Sequence, residues 1–88
     1  MPSGRIMIVE DERITAEHLH DILVHLGYDV TAVASTGADA LRFAETTNPE
    51  LVMMDIRIRG DLDGVETAQL LRERFDIPVV YLTAHADR

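Results

Sequence analysis

The sequence predicts an α/β domain built on a parallel sheet, and two observations carry that prediction. Short apolar runs alternate with amphipathic stretches in the order β-α-β-α-β-α-β, joined by short connections. Alternation of this kind belongs to parallel sheets with helices on both faces. The apolar runs also end in polar groups: Ile6-Met7-Ile8-Val9 in Glu10-Asp11-Glu12, Leu51-Val52-Met53-Met54 in Asp55, and Val79-Val80-Tyr81-Leu82 in Thr83. A carboxylate placed where a buried strand leaves a sheet is costly unless something uses it. In open parallel sheets that edge is where ligands bind.

Each element follows from its local pattern. The first run is unbroken in apolarity, which suits a strand covered on both faces. From about Glu12 to Leu26, Ile14, Leu19, Ile22, Leu23 and Leu26 recur at three- and four-residue spacing and predict an amphipathic helix with Gly27 as its stop. Tyr28 to Ala34 is more mixed in polarity and reads as an edge strand. Ser35-Thr36-Gly37 opens a short helix through about Thr46, with Leu41 and Phe43 as core candidates, and Asn48-Pro49 breaks it. Leu51 to Met54 is the third strand, and Arg57 to Gly64, with two glycines and four charges, is a loop. Helical spacing returns through Val65, Ala68, Leu71 and Phe75, and Asp76-Ile77-Pro78 leads into a fourth strand ending near Thr83. There is no internal repeat, low-complexity segment or linker, so residues 1–88 read as one domain.

Composition narrows the function classes. Hydrophobic residues at 47% and charged residues at 27% are ordinary globular values and argue against disorder. A net charge of −8 argues against nucleic acid or an anionic membrane as a direct partner; it suits a site that gathers a cation, and it also serves plain solubility. The absence of cysteine excludes thiol chemistry and a disulfide framework. Met1-Pro2-Ser3-Gly4-Arg5 lacks the apolar core of a signal peptide, and no run approaches the ~20 residues of a membrane span. The expectation is a soluble, cytoplasmic protein.

Glu10, Asp11 and Asp55 meet if strands one and three are neighbours, as in the flavodoxin-like order 2-1-3-4. Three carboxylates that close repel one another and stay ionised only around a divalent cation. Oxygen donors select hard ions, which points to Mg²⁺. A metal beside one accessible carboxylate suggests phosphate chemistry, with the carboxylate as nucleophile. Taken singly, each acid could instead cap a helix, Asp11 the first and Asp63 the third. Three acids and Thr83 on one edge favour a site.

These segments, with Asp63-Gly64-Val65-Glu66 and Pro78-Val79-Val80-Tyr81-Leu82-Thr83-Ala84, resemble the receiver domain of two-component response regulators, over the whole chain. The resemblance implies that Asp55 accepts a phosphoryl group from a histidine kinase or phosphotransfer protein. It implies that Asp11 holds Mg²⁺ directly and Glu10 through water, with the backbone carbonyl of Arg57 as a further ligand. Thr83 matches the switch hydroxyl that hydrogen-bonds the acyl phosphate, and the amide of Ala84 would contact it too. Arg57 and His85 stand at the two variable positions that tune hydrolysis of the phosphoryl group in this family. His18, His20 and His25 read as exposed helix residues. Such a module is a switch and not a turnover enzyme, save for slow self-phosphorylation from small acyl phosphates and self-dephosphorylation.

Two departures from the family stand out. The loop from Ile56 to Leu62 has no proline, and glycine does the turning in what looks like a longer variant. The chain also matches only the first two-thirds of a receiver, ending before the fifth strand, the last helices and the lysine of that region; it contains no lysine. The expectation is a C-terminally truncated receiver that self-associates, through the fourth-strand edge or by exchanged elements, and that phosphorylates and switches poorly. Two other readings compete. A receiver-like interaction or dimerisation domain without phosphorylation is disfavoured by the intact Glu10, Asp11, Asp55 and Thr83. A Mg²⁺-dependent hydrolase is disfavoured by Arg57, which stands where an acid/base aspartate belongs.

Overall fold

The computed structural model describes residues 4–58 and 60–82. Within them the chain runs β1 (Arg5–Val9), α1 (Arg13–His25), β2 (Asp29–Ala34), α2 (Gly37–Thr47), β3 (Leu51–Asp55), α3 (Gly64–Phe75) and β4 (Val79–Leu82). The four strands form one parallel sheet in the order β2-β1-β3-β4, the flavodoxin-like arrangement the alternation predicts. The mixed polarity of Asp29–Ala34 fits its place at an edge, and Thr31 is bulged out of the β1 pairing.

Two apolar clusters sandwich the sheet, and the two-residue period of the strands sorts side chains between them. Met7 and Val9 of β1 and Val52 and Met54 of β3 face α2 and α3, where they pack with Ala40, Ala44, Ala68 and Leu71. Ile6 and Ile8 face α1 and pack around Leu23, with Leu51 and Met53 partly buried beside them. β1 is therefore covered on both faces, which is why its sequence is apolar throughout.

Helix ends follow their local chemistry. Asp63 caps α3 by accepting from the Glu66 amide at 2.8 Å, and the Glu66 carboxylate accepts from the Asp63 amide at 3.1 Å, a complete capping box. Thr36 caps α2 through the Asp39 amide. Asn48 and Asp76 end their helices in the left-handed region, at φ 54° and 58°, which these residue types tolerate. Gly27 follows α1 at φ 99°, as its place in the sequence predicts.

The helices bury a different stripe from the one their large apolar residues suggest. In α1 the sheet-facing residues are Ala16, Leu19 and Leu23, whereas Ile14 is 78% and Leu26 54% exposed and Ile22 also reaches solvent. A helix has one narrow line of closest approach to a sheet, and the small Ala16 occupies it near the strand ends. In α3, Thr67 is fully buried and Val65 exposed, again because the helix packs on its small residues.

Candidate functional site

The parallel pairing of β1 with β3 sets Val9 beside Met54, so the residues that follow each, Glu10 and Asp55, emerge side by side at the carboxyl edge. The amide of Glu10 donates to the Ala34 carbonyl at 2.9 Å, which carries the hold of the β1–β2 ladder one residue beyond β1. Glu10 and Asp55 are almost fully buried, with 3% and 6% of their surfaces exposed, and Asp11 is half-buried. One carboxylate oxygen from each of Glu10, Asp11 and Asp55 lies within 4.8 Å of the other two. The sequence predicts this meeting of three acids, and the sheet order produces it.

Two backbone amides orient the carboxylates. The amide of Glu12 donates to Glu10 Oε2, and that of Arg57 donates to Asp55 Oδ1, each at 3.1 Å. Both bonds reach from an acid to the amide two residues on, a turn geometry that short acidic side chains favour. An acid followed by a non-proline residue two positions later is their sequence signal, and it is too common to single them out.

Burial pushes the Glu10 carboxyl up to about 7; the Glu12 amide pulls it back, and the charge and hydrogen bond of Asp55 and the charge of Asp11 add to the rise. Burial first, and the neighbouring carboxylates after it, disfavour the charged form of Glu10, a cost that a divalent cation among the three acids would offset. Three hard oxygen donors converging on one point fit a divalent cation of the Mg²⁺ class.

Helix capping does not account for the cluster. The N-cap of α1 is Glu12, one residue after Asp11, and the Glu12 side chain makes no capping hydrogen bond. Asp63 does cap α3, and it stands apart from the three acids. The side chain of Arg57 is exposed beside Asp55. His18, His20 and His25 are exposed along α1, with His20 Nδ1 3.2 Å from the Asp21 carboxylate. Thr83, Ala84 and His85 lie outside the described residues.

The comparisons with known proteins agree with this geometry. The family described as the response regulator receiver domain matches residues 6–88. The chain is 33% identical over 84 residues to the phyllosphere-induced regulator PhyR of Methylorubrum extorquens, covering 94% of this chain and 32% of that protein. It is likewise 33% identical to the transcriptional regulatory protein PdtaR of Mycobacterium tuberculosis, covering 96% and 40%. Among solved structures, the signal receiver domain of a modulated diguanylate cyclase from Desulfovibrio desulfuricans superimposes with a TM-score of 0.85 at 39% identity, over 93% of this chain and 64% of that one. The response regulator PhyR from Brucella abortus gives 0.84 at 29% identity, over 90% and 32%. The chain thus spans about a third to two-fifths of the curated relatives it matches.

Proposed function

We propose, for a chain that belongs to the response regulator receiver domain family of two-component systems, that Asp55 is a phosphoacceptor. The single observation that carries this reading is the convergence of Glu10, Asp11 and Asp55 at adjacent strand ends. Receiver domains in general work with histidine kinases and are not turnover enzymes, and the donor for this chain is on this reading a kinase or phosphotransfer histidine.

The chemistry assigned to the chain is one displacement. An Asp55 carboxylate oxygen attacks the phosphorus of a phosphohistidine, the O–P bond forms as the P–N bond breaks, and the imidazole leaves with its electron pair. Slow attack of water on the resulting acyl phosphate returns the carboxylate and inorganic phosphate. Asp11, Glu10, Asp55 and the Arg57 carbonyl would hold Mg²⁺, which when bound offsets the charge of the phosphoryl oxygens. The Arg57 amide, donating to Asp55 Oδ1, fixes the orientation of the carboxylate. Thr83 as the switch hydroxyl, Ala84 as an amide donor, and Arg57 and His85 as tuning side chains complete the assignment on the strength of the sequence. A cytoplasmic location belongs to the same reading; among the described residues no helix is long and apolar enough to cross a membrane.

The test is phosphorylation by acetyl phosphate with Mg²⁺, followed by intact-mass measurement. One phosphoryl mass should add to the protein and none to Asp55→Asn; an adduct of equal yield in the variant would sink the assignment.

A further inference from the structure

The chain leaves β3 at Asp55 and enters α3 at Gly64, and the loop between them is closed at its neck by direct contact of backbone with backbone. The Gly64 amide donates to the Ile56 carbonyl at 3.0 Å. A Cβ on Gly64 would stand 2.7 Å from Ile56 Cα and 2.8 Å from its carbonyl carbon, and closer still to the carbonyl oxygen. All three are main-chain atoms, which unlike a side chain cannot swing aside. Gly64 lies in the first turn of α3 with ordinary helical torsions, so the glycine is required by the close approach and not by its φ.

This neck lies one residue beyond the acceptor. Ile56 directly follows Asp55 and directly precedes Arg57, whose amide holds Asp55 Oδ1. Beyond the neck the loop is fastened on both sides. Ile58 is buried in the core cluster under α2 and α3. The Asp63 carbonyl accepts from both the amide and the hydroxyl of the fully buried Thr67, at 3.0 and 2.8 Å. The Ile56–Arg57 peptide is held at both of its polar groups: its carbonyl accepts from the Gly64 amide, and its amide donates to Asp55 Oδ1.

We infer that Gly64 is a positioning residue for the acceptor: its missing side chain lets the loop close and so places the Arg57 amide on Asp55. The inference rests on the phosphoacceptor reading and adds a residue that touches neither metal nor phosphoryl group. Disturbing the hydrogen-bonded partner that orients a metal ligand typically weakens a metal site by about 10- to 100-fold.

The experiment compares wild type, Gly64→Ala and Ala44→Gly, the last a core change in α2 that lowers stability away from the neck. Mg²⁺ affinity and the exchange rate of the Arg57 amide are read on each, with thermal unfolding as the measure of stability. Gly64→Ala should lose about 10- to 100-fold in Mg²⁺ affinity and exchange its Arg57 amide faster. Ala44→Gly should melt earlier with Mg²⁺ affinity within twofold of wild type. A folded Gly64→Ala with wild-type affinity and exchange would overturn the inference. If Gly64→Ala does not fold, the wild type decides: Mg²⁺ should slow exchange at the Gly64 and Arg57 amides together, and slowing at Arg57 alone would overturn it. Acetyl phosphate labelling of wild type separates the two levels. Labelling at Asp55 with an indifferent Gly64→Ala removes this inference alone, whereas no labelling at Asp55 removes the reading beneath it as well.

Discussion

Along β1 and β3 the chain passes, within one step, from its best-packed side chains to its most expensive ones. Val9 and Met54 are completely buried among apolar neighbours, and the next residues, Glu10 and Asp55, are nearly as buried but face each other as acids. The same sheet positions both pairs, and the same parallel register brings both together. Packing on one side of the step supplies the free energy that keeps like charges assembled on the other. Like charges gathered in this way repel one another, and a divalent cation among them would relieve the repulsion.

The largest effect should come from breaking the packed side. Met54→Ala removes a fully buried side chain next to the acceptor and should destabilise the fold by about 2–5 kcal/mol in denaturant unfolding. Met53, one residue earlier, is only partly buried, on the α1 face, and Met53→Ala should cost about 1 kcal/mol. Equal losses would show that the two faces of β3 are packed alike and would blur the contrast.

The acidic side should respond with the opposite sign. Glu10 has its carboxyl raised from 4.5 to about 7 in the folded protein, so across that window the fold holds a proton that the unfolded chain has released. Without metal, stability should therefore be greatest below pH 4.5 as far as Glu10 is concerned, and fall as pH rises through 7. The fall should amount to no more than about 3 kcal/mol, the equivalent of the shift. Glu10→Gln should remove it, and so be more stable than wild type at pH 8 and indistinguishable at pH 4. Mg²⁺ should flatten the wild-type curve and bind more tightly as pH rises, because protons compete for the same carboxylate. A wild-type curve that already lacks this slope would show that burial of Glu10 carries no strain.

The smallest effect concerns Asp11, half-buried where Glu10 is buried. Asp11→Asn should gain less stability without metal than Glu10→Gln, within about 1 kcal/mol of wild type by chemical denaturation at pH 8. A larger gain would place the strain in Asp11 and not in Glu10.

Much of this was legible in the sequence, because it depends on short windows of chain. The two-residue sorting of β1 and β3, the helical spacing of α1, α2 and α3, the breaks at Gly27 and Asn48-Pro49, and the cap at Asp63 are local preferences that neighbouring residues satisfy among themselves. The carboxylates at the strand ends were visible for the same reason, as was the glycine turn of the loop, where Gly60 sits at φ 106°. Other features belong to tertiary structure because they depend on which distant residues come to touch. Spacing marks α1 as amphipathic, but the sheet chose Ala16 over Ile14 as its contact, since a small side chain lets helix and strand approach. Glu10 is marked by its place at a strand end, but its raised pKa arises only because the core removes its water and β3 sets Asp55 beside it. Gly64 looks like half of a turn dipeptide, and only the return of α3 onto Ile56 shows that it closes the loop behind the acceptor. Sequence fixes local conformation through torsions and nearest neighbours, while burial, charge proximity and close approach are set by the packing of segments far apart in the chain.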